Sequence, residues 1–107
     1  MEEIKEYFNA LQIETVDKEL NKLDKVISIL SIFVANNALG ISDTVALLHY
    51  IDNPLSVWAW PEDFNVKVDT LYSRANTEIK KLNLVDKEKY EEQRSVFIEE
   101  ILSSLKS

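Results

Sequence analysis

The sequence predicts an all-α fold, a single-domain bundle of four main helices. The first observation is the stretch VISILSIFVA at 26–35, which holds no charged residue and continues an apolar pattern that begins earlier. The pattern advances in steps of three and four residues, the spacing of one helix face, through Val16, Leu20, Leu23, Ile27, Leu30 and Val34. The second observation is the scarcity of turn-forming residues, since the chain has one glycine and two prolines. An all-β chain needs turn residues roughly every 8–12 positions.

Residues 16–36 are expected to form the central helix. In its second half, Ile29, Ile32 and Phe33 add apolar side chains outside the main seam, so this part is apolar nearly all round. Such a helix must be covered on most sides by neighbouring elements. We therefore expect the other helices to pack around it. Thr15 is the expected N-cap, because its hydroxyl can accept a hydrogen bond from a free amide of the first turn.

Shorter elements flank the central helix. A short N-terminal helix is expected at 2–12, where apolar residues recur on one face. A third helix is expected at about 43–52, with Ser42 as its N-cap. It ends before Pro54, because the residue preceding a proline avoids the helical region. A short turn near 54–60 then leads to the second half of the chain.

Two long amphipathic helices complete the predicted bundle. The fourth, at 61–82, opens at Pro61 and follows the apolar seam Phe64, Val68, Leu71, Ala75, Ile79 and Leu82. The last, at 87–105, has Asp86 as its expected N-cap. Val85 and Tyr90 have the spacing of a hydrophobic staple around that cap. Its inward residues are expected to be Tyr90, Phe97, Ile98, Ile101, Leu102 and Leu105.

One helical domain spanning 1–107 is expected, because the chain has no internal repeat, low-complexity tract or linker. The absence of cysteine excludes disulfides and thiolate metal sites. The start MEEIKEYFNA lacks the basic region of a signal peptide. The apolar stretch at 26–35 is too short to span a bilayer. These features favour a cytoplasmic location.

The charge of the chain constrains its partners. It has 12 basic and 19 acidic residues, a formal net charge of −7. Such a chain repels phosphate backbones and anionic membrane surfaces, so we expect neither nucleic acid nor membrane as a partner. A basic protein partner is favoured, because opposite charges speed the encounter of two proteins. The alternative is that the charge only keeps a small domain in solution.

No motif in the sequence predicts catalysis. His49 is the only histidine, and a zinc site or catalytic triad needs it beside further ligands or a nucleophile. One glycine is too few for a phosphate-binding loop, and no G-x-S-x-G motif is present. We therefore expect no enzymatic activity, no metal and no cofactor.

The segment between 26 and 66 is the strongest functional indication, because it contains no Lys or Arg while its charged residues are all acidic. Aromatic residues among carboxylates suit a surface that binds a basic protein. The candidate partner-binding residues are Asp43, His49, Tyr50, Asp52, Trp58, Trp60, Glu62 and Asp63. The alternative is that both tryptophans close the end of the bundle. A second acidic group, Glu91-Glu92 and Glu99-Glu100, is either a partner surface or a solvated helix face.

These observations predict a non-catalytic protein-binding module. In size and charge the chain is similar to the small acidic helical immunity proteins of bacterial competition systems. That similarity implies an inhibitor or antitoxin that neutralises a basic partner such as a nuclease toxin. Self-association of the long amphipathic helices, as in a homodimer or a structural protein, is a further alternative.

Another interpretation concerns residues 34–51, VANNALGISDTVALLHYI. The segment resembles the helix-turn-helix of repressor families at Val34-Ala35, Gly40-Ile41-Ser42 and Thr44-Val45. In that family two tightly crossing helices set the spacing of these positions. The resemblance implies a DNA-binding transcriptional regulator.

Overall fold

The computed structural model describes residues 2–12, 16–36, 41–52 and 61–106, with the side chains of 41, 42, 49–52 and 106 left out. The described residues form five α-helices and no strand, which confirms the predicted all-α class. The helices are α1 (Glu2–Ala10), α2 (Val16–Asn36), α3 (Ile41–Asp52), α4 (Glu62–Ile79) and α5 (Leu84–Lys106). Thr15 and the predicted turn near 54–60 lie outside the described residues.

Helix α2 is the centre of the bundle and has the predicted bounds. It contacts each of the other four helices, and every residue from 26 to 32 is buried. The predicted coverage of α2 on most sides is therefore confirmed. The side chains that pack with it in one apolar core include Ile4, Phe8, Leu47, Val68, Leu71, Ala75, Phe97, Ile101 and Leu105.

Helices α3 and α4 differ from prediction at their ends. Helix α3 begins at Ile41, so Ser42 lies inside the helix and is not its N-cap. Helix α4 has Pro61 as its N-cap and ends at Ile79. The amides of Lys81 and Leu82 donate to carbonyls three residues back, which closes α4 with a tight turn. Leu82 is still buried, so its place in the apolar seam was correct although the helix stops earlier.

Helix α5 begins three residues before the predicted start. The Asn83 side-chain Oδ1 accepts a hydrogen bond from the Asp86 amide at 2.9 Å, and its carbonyl accepts one from the Lys87 amide at 2.9 Å. Asn83 is therefore the N-cap. The prediction of Asp86 as N-cap, with a staple from Val85 to Tyr90, is wrong. Asp86 lies in the first turn, where its negative charge interacts favourably with the partial positive charge at the N-terminal end of the helix.

Ion pairs join different helices of the bundle. The Arg94 guanidinium on α5 donates to Ser28 Oγ at 2.9 Å and to Asp24 Oδ1, both on α2. Further pairs connect α2 to α4, α4 to α3 and α1 to α2. They are Lys25–Asp69 at 2.6 Å, Lys67–Asp43 at 2.6 Å and Lys5–Asp17 at 3.6 Å. Each of these pairs connects one helix to another at the surface of the bundle.

Replacing Arg94 by glutamine is expected to lower the free energy of unfolding by about 1–2 kcal/mol, because two charge-assisted hydrogen bonds are lost and one involves the buried Ser28 hydroxyl. Urea denaturation measures this loss. Arg94→Lys should recover only part of it, since an ammonium group cannot reproduce the guanidinium fork. The matched control is Arg74→Gln on the exposed side of α4, with an expected change within about 0.5 kcal/mol. Equal losses in both glutamine variants would contradict this role of Arg94.

Candidate functional site

Three of the eight predicted partner-binding residues have described side chains. Trp58 and Trp60 lie outside the described residues. His49, Tyr50 and Asp52 belong to α3, but their side chains are not described. Asp43, Glu62 and Asp63 are therefore the residues of the candidate site whose side-chain contacts are described.

Asp43 contributes less free charge than the sequence implied. Its carboxylate lies 2.6 Å from the Lys67 ammonium, and its side chain is 22% exposed. Lys67 follows Asp63 by four positions on α4, about one helical turn. The ion pair therefore places Asp43 beside the first turns of α4, at the end that carries Glu62 and Asp63. It also places a cation next to a segment that has none in its own sequence.

Glu62 and Asp63 form the acidic first turn of α4, and both are exposed. The Asp63 Oδ1 accepts a hydrogen bond from the Phe64 amide at 3.0 Å. Carboxylates are stabilised at this position because the N-terminal end of a helix carries a partial positive charge. A partner can therefore contact both side chains while the first turn of α4 stays helical.

Glu62 also lines a groove of about 280 Å³ between α2 and α4. The α2 side of this groove carries Lys18, Lys22 and Lys25. Their spacing of four and three residues puts them on one helix face, but that spacing alone did not indicate a groove, because its other wall comes from α4. Lys25 is bound to Asp69, so the groove combines opposite charges and is not a purely basic or acidic pocket.

The outer face of α5 is the larger acidic surface. Its five glutamates are all exposed, and none forms an ion pair with another described residue: Glu88, Glu91, Glu92, Glu99 and Glu100. The opposite face of the helix is buried through Phe97, Ile101 and Leu105. The carboxylates therefore point away from the core, and their charges are accessible to solvent or to a partner.

The helix-turn-helix alternative stays a prediction, because the connection at 37–40 lies outside the described residues. Helices α2 and α3 follow one another along the chain and are in contact. Val45, one of the positions that carry the resemblance, is 61% exposed.

Comparison of the chain with protein-family models, curated proteins and solved structures found no match. Among the described residues, no three metal-binding side chains of the His, Cys, Asp or Glu type come together. Nor does any helix in the described ranges have the length and apolar character required to cross a bilayer. Function is therefore inferred from the charge and shape of the surface.

Proposed function

We propose that this chain is a non-catalytic protein-binding module that neutralises a basic protein, as a small acidic inhibitor or immunity protein neutralises a nuclease toxin. The observation that carries the proposal is the excess of exposed carboxylates that have no ion-pair partner among the described residues. Four cations join different helices of the bundle, and among the described residues the carboxylates without an ion pair outnumber the cations without one.

The cations that connect the helices have their charge balanced within the fold. Lys5, Lys25, Lys67 and Arg94 each pair with a carboxylate on another helix. The first turn of α4 and the outer face of α5 keep their negative charge. A surface of this kind attracts a basic protein over a Debye length of about 8–10 Å and raises the association rate.

A nuclease is a fitting class of partner because its substrate cleft must be basic to hold phosphates. Carboxylates can take the place of phosphate oxygens, since Arg side chains donate two parallel hydrogen bonds to either group. Binding at the cleft would exclude the nucleic acid. No bond-making group is needed on this chain for such inhibition.

Affinity capture from the cells that produce the chain, followed by purification of the captured protein, provides the partner for a kinetic test. We expect a basic protein. Its association rate constant should fall at least about tenfold when NaCl rises from about 50 to about 500 mM, because salt screens the attraction. Glu62→Gln with Asp63→Asn, or Glu99→Gln with Glu100→Gln, should lower the rate constant about 3–10-fold at low salt.

The matched control is Glu2→Gln with Glu3→Gln, which removes two exposed charges from α1. It should change the rate constant much less than the other two variants. A salt-independent association would contradict the proposal. An equal effect of all three variants would mean that only the net charge of the chain sets the association rate, which would contradict a role for these two acidic surfaces.

A further inference from the structure

One stripe of α5 combines exposed apolar side chains with both signs of charge. Val85, Lys89, Glu92 and Val96 are exposed, and their steps of four, three and four residues put them on one helix face. Val85 is 71% exposed and Val96 is 40% exposed. This face is directed away from the core, because the buried residues Phe97 and Ile101 lie on the opposite side. No other described helix covers this face.

We propose that two copies of this chain associate through this stripe, with their α5 helices antiparallel. The order apolar, basic, acidic, apolar is complementary to itself when it is reversed. With a two-fold axis between Tyr90 and Glu91, Val85 of one copy faces Val96 of the other, and Lys89 faces Glu92. Both contacts occur twice, as in an isologous dimer.

Charge complementarity selects this orientation. A parallel arrangement would place Lys89 against Lys89 and Glu92 against Glu92, which is repulsive. The antiparallel register also brings Lys80 and Lys81, in the turn between α4 and α5, toward the end of the other α5 that carries Glu99 and Glu100. The excess of cations near one end of α5 thus meets the excess of carboxylates near the other.

The expected dimer is weak, because a single helix face buries an area at the low end of specific interfaces. Association should therefore be seen at protein concentrations of about 10 μM to about 1 mM, at an ionic strength of about 0.15 M that screens the repulsion between two chains of net charge −7. The inference goes beyond the proposed function and does not depend on it. The dimer would compete with a basic partner for the outer face of α5, because it covers Glu92 and brings Lys80 and Lys81 toward Glu99 and Glu100. It would leave the first turn of α4 accessible.

Sedimentation equilibrium of the full chain with charge-exchange variants tests the interface. Lys89→Glu alone and Glu92→Lys alone should each weaken the dimer at least about tenfold, since each creates like-charge contacts. The double variant should restore association, because exchanging both charges recreates the two pairs. Arg74→Glu and Glu3→Lys are controls with the same charge changes on α4 and α1, and they should have little effect. A chain that stays monomeric up to about 1 mM at an ionic strength of about 0.15 M, or a double variant that fails to recover, would overturn the proposal.

Cysteine cross-linking tests the orientation, because the chain has no cysteine of its own. A mixture of Val85→Cys and Val96→Cys chains should form mixed disulfide dimers under mild oxidation. Neither variant should cross-link efficiently with itself, since equivalent positions would be about 16 Å apart along the antiparallel pair, beyond the reach of a disulfide. Preferential cross-linking of each variant with itself would mean parallel helices and would overturn the proposal.

Discussion

Replacing Leu23 by alanine is expected to lower the free energy of unfolding by about 3–4 kcal/mol. Leu23 is fully buried on α2, the helix that contacts all the others. Its truncation removes apolar contacts and leaves a cavity that the surrounding helices can close only in part. Urea denaturation followed by circular dichroism measures the loss.

The matched control for this change is Leu84→Ala at the start of α5. Leu84 is 73% exposed, so the same atoms are removed from a place that packs little. The expected change is within about 0.5 kcal/mol. If the two alanine variants lost similar stability, α2 would not be the centre of the core.

Replacing Glu19 by methionine is expected to raise the free energy of unfolding by about 2 kcal/mol. Glu19 is 3% exposed, and its Oε2 has no hydrogen-bond partner among the described residues. Its Oε1 lies 3.9 Å from the Lys22 ammonium, which is too long for a hydrogen bond. Burial of a charged group without adequate partners is costly, and methionine fills a similar volume without that cost. Lys22 is partly exposed, so its charge stays solvated in the variant.

Thermal and urea denaturation of Glu19→Met should be compared with Glu88→Met. Glu88 lies on the exposed face of α5, where the same substitution should change stability by no more than about 0.5 kcal/mol. Lower stability of Glu19→Met than of the unchanged chain would contradict the interpretation of this carboxylate as unsatisfied.

Much of the fold could be predicted because the apolar pattern of α2 is long and regular. The seam from Val16 to Val34 defines a face, and the additional apolar residues after 25 require partners on other sides. The start of α5 could not be decided in the same way, because Asn83 and Asp86 are both good N-cap residues. Local sequence does not distinguish them, and the observed cap adds the first turn that contains Leu84 and Val85.

The surroundings of the candidate site were harder to predict than the helices. Asp43 belongs to a segment without cations, but Lys67 reaches it from α4. The lysines of α2 line the same groove as Glu62, which belongs to another helix. These contacts depend on how the helices pack against one another, and periodicity within one helix contains no information about that arrangement. The exposed glutamates of α5 were predictable because their surroundings are solvent.

The pairing of α2 with α5 has a consequence for biosynthesis. Ser28 and Arg94, which join the two helices, are separated by 66 positions in the chain. During translation the most apolar segment is therefore made well before the helix that covers it. A nascent chain in this state displays apolar surface that favours aggregation or chaperone binding. Synthesis of α5 is the step that ends this exposure.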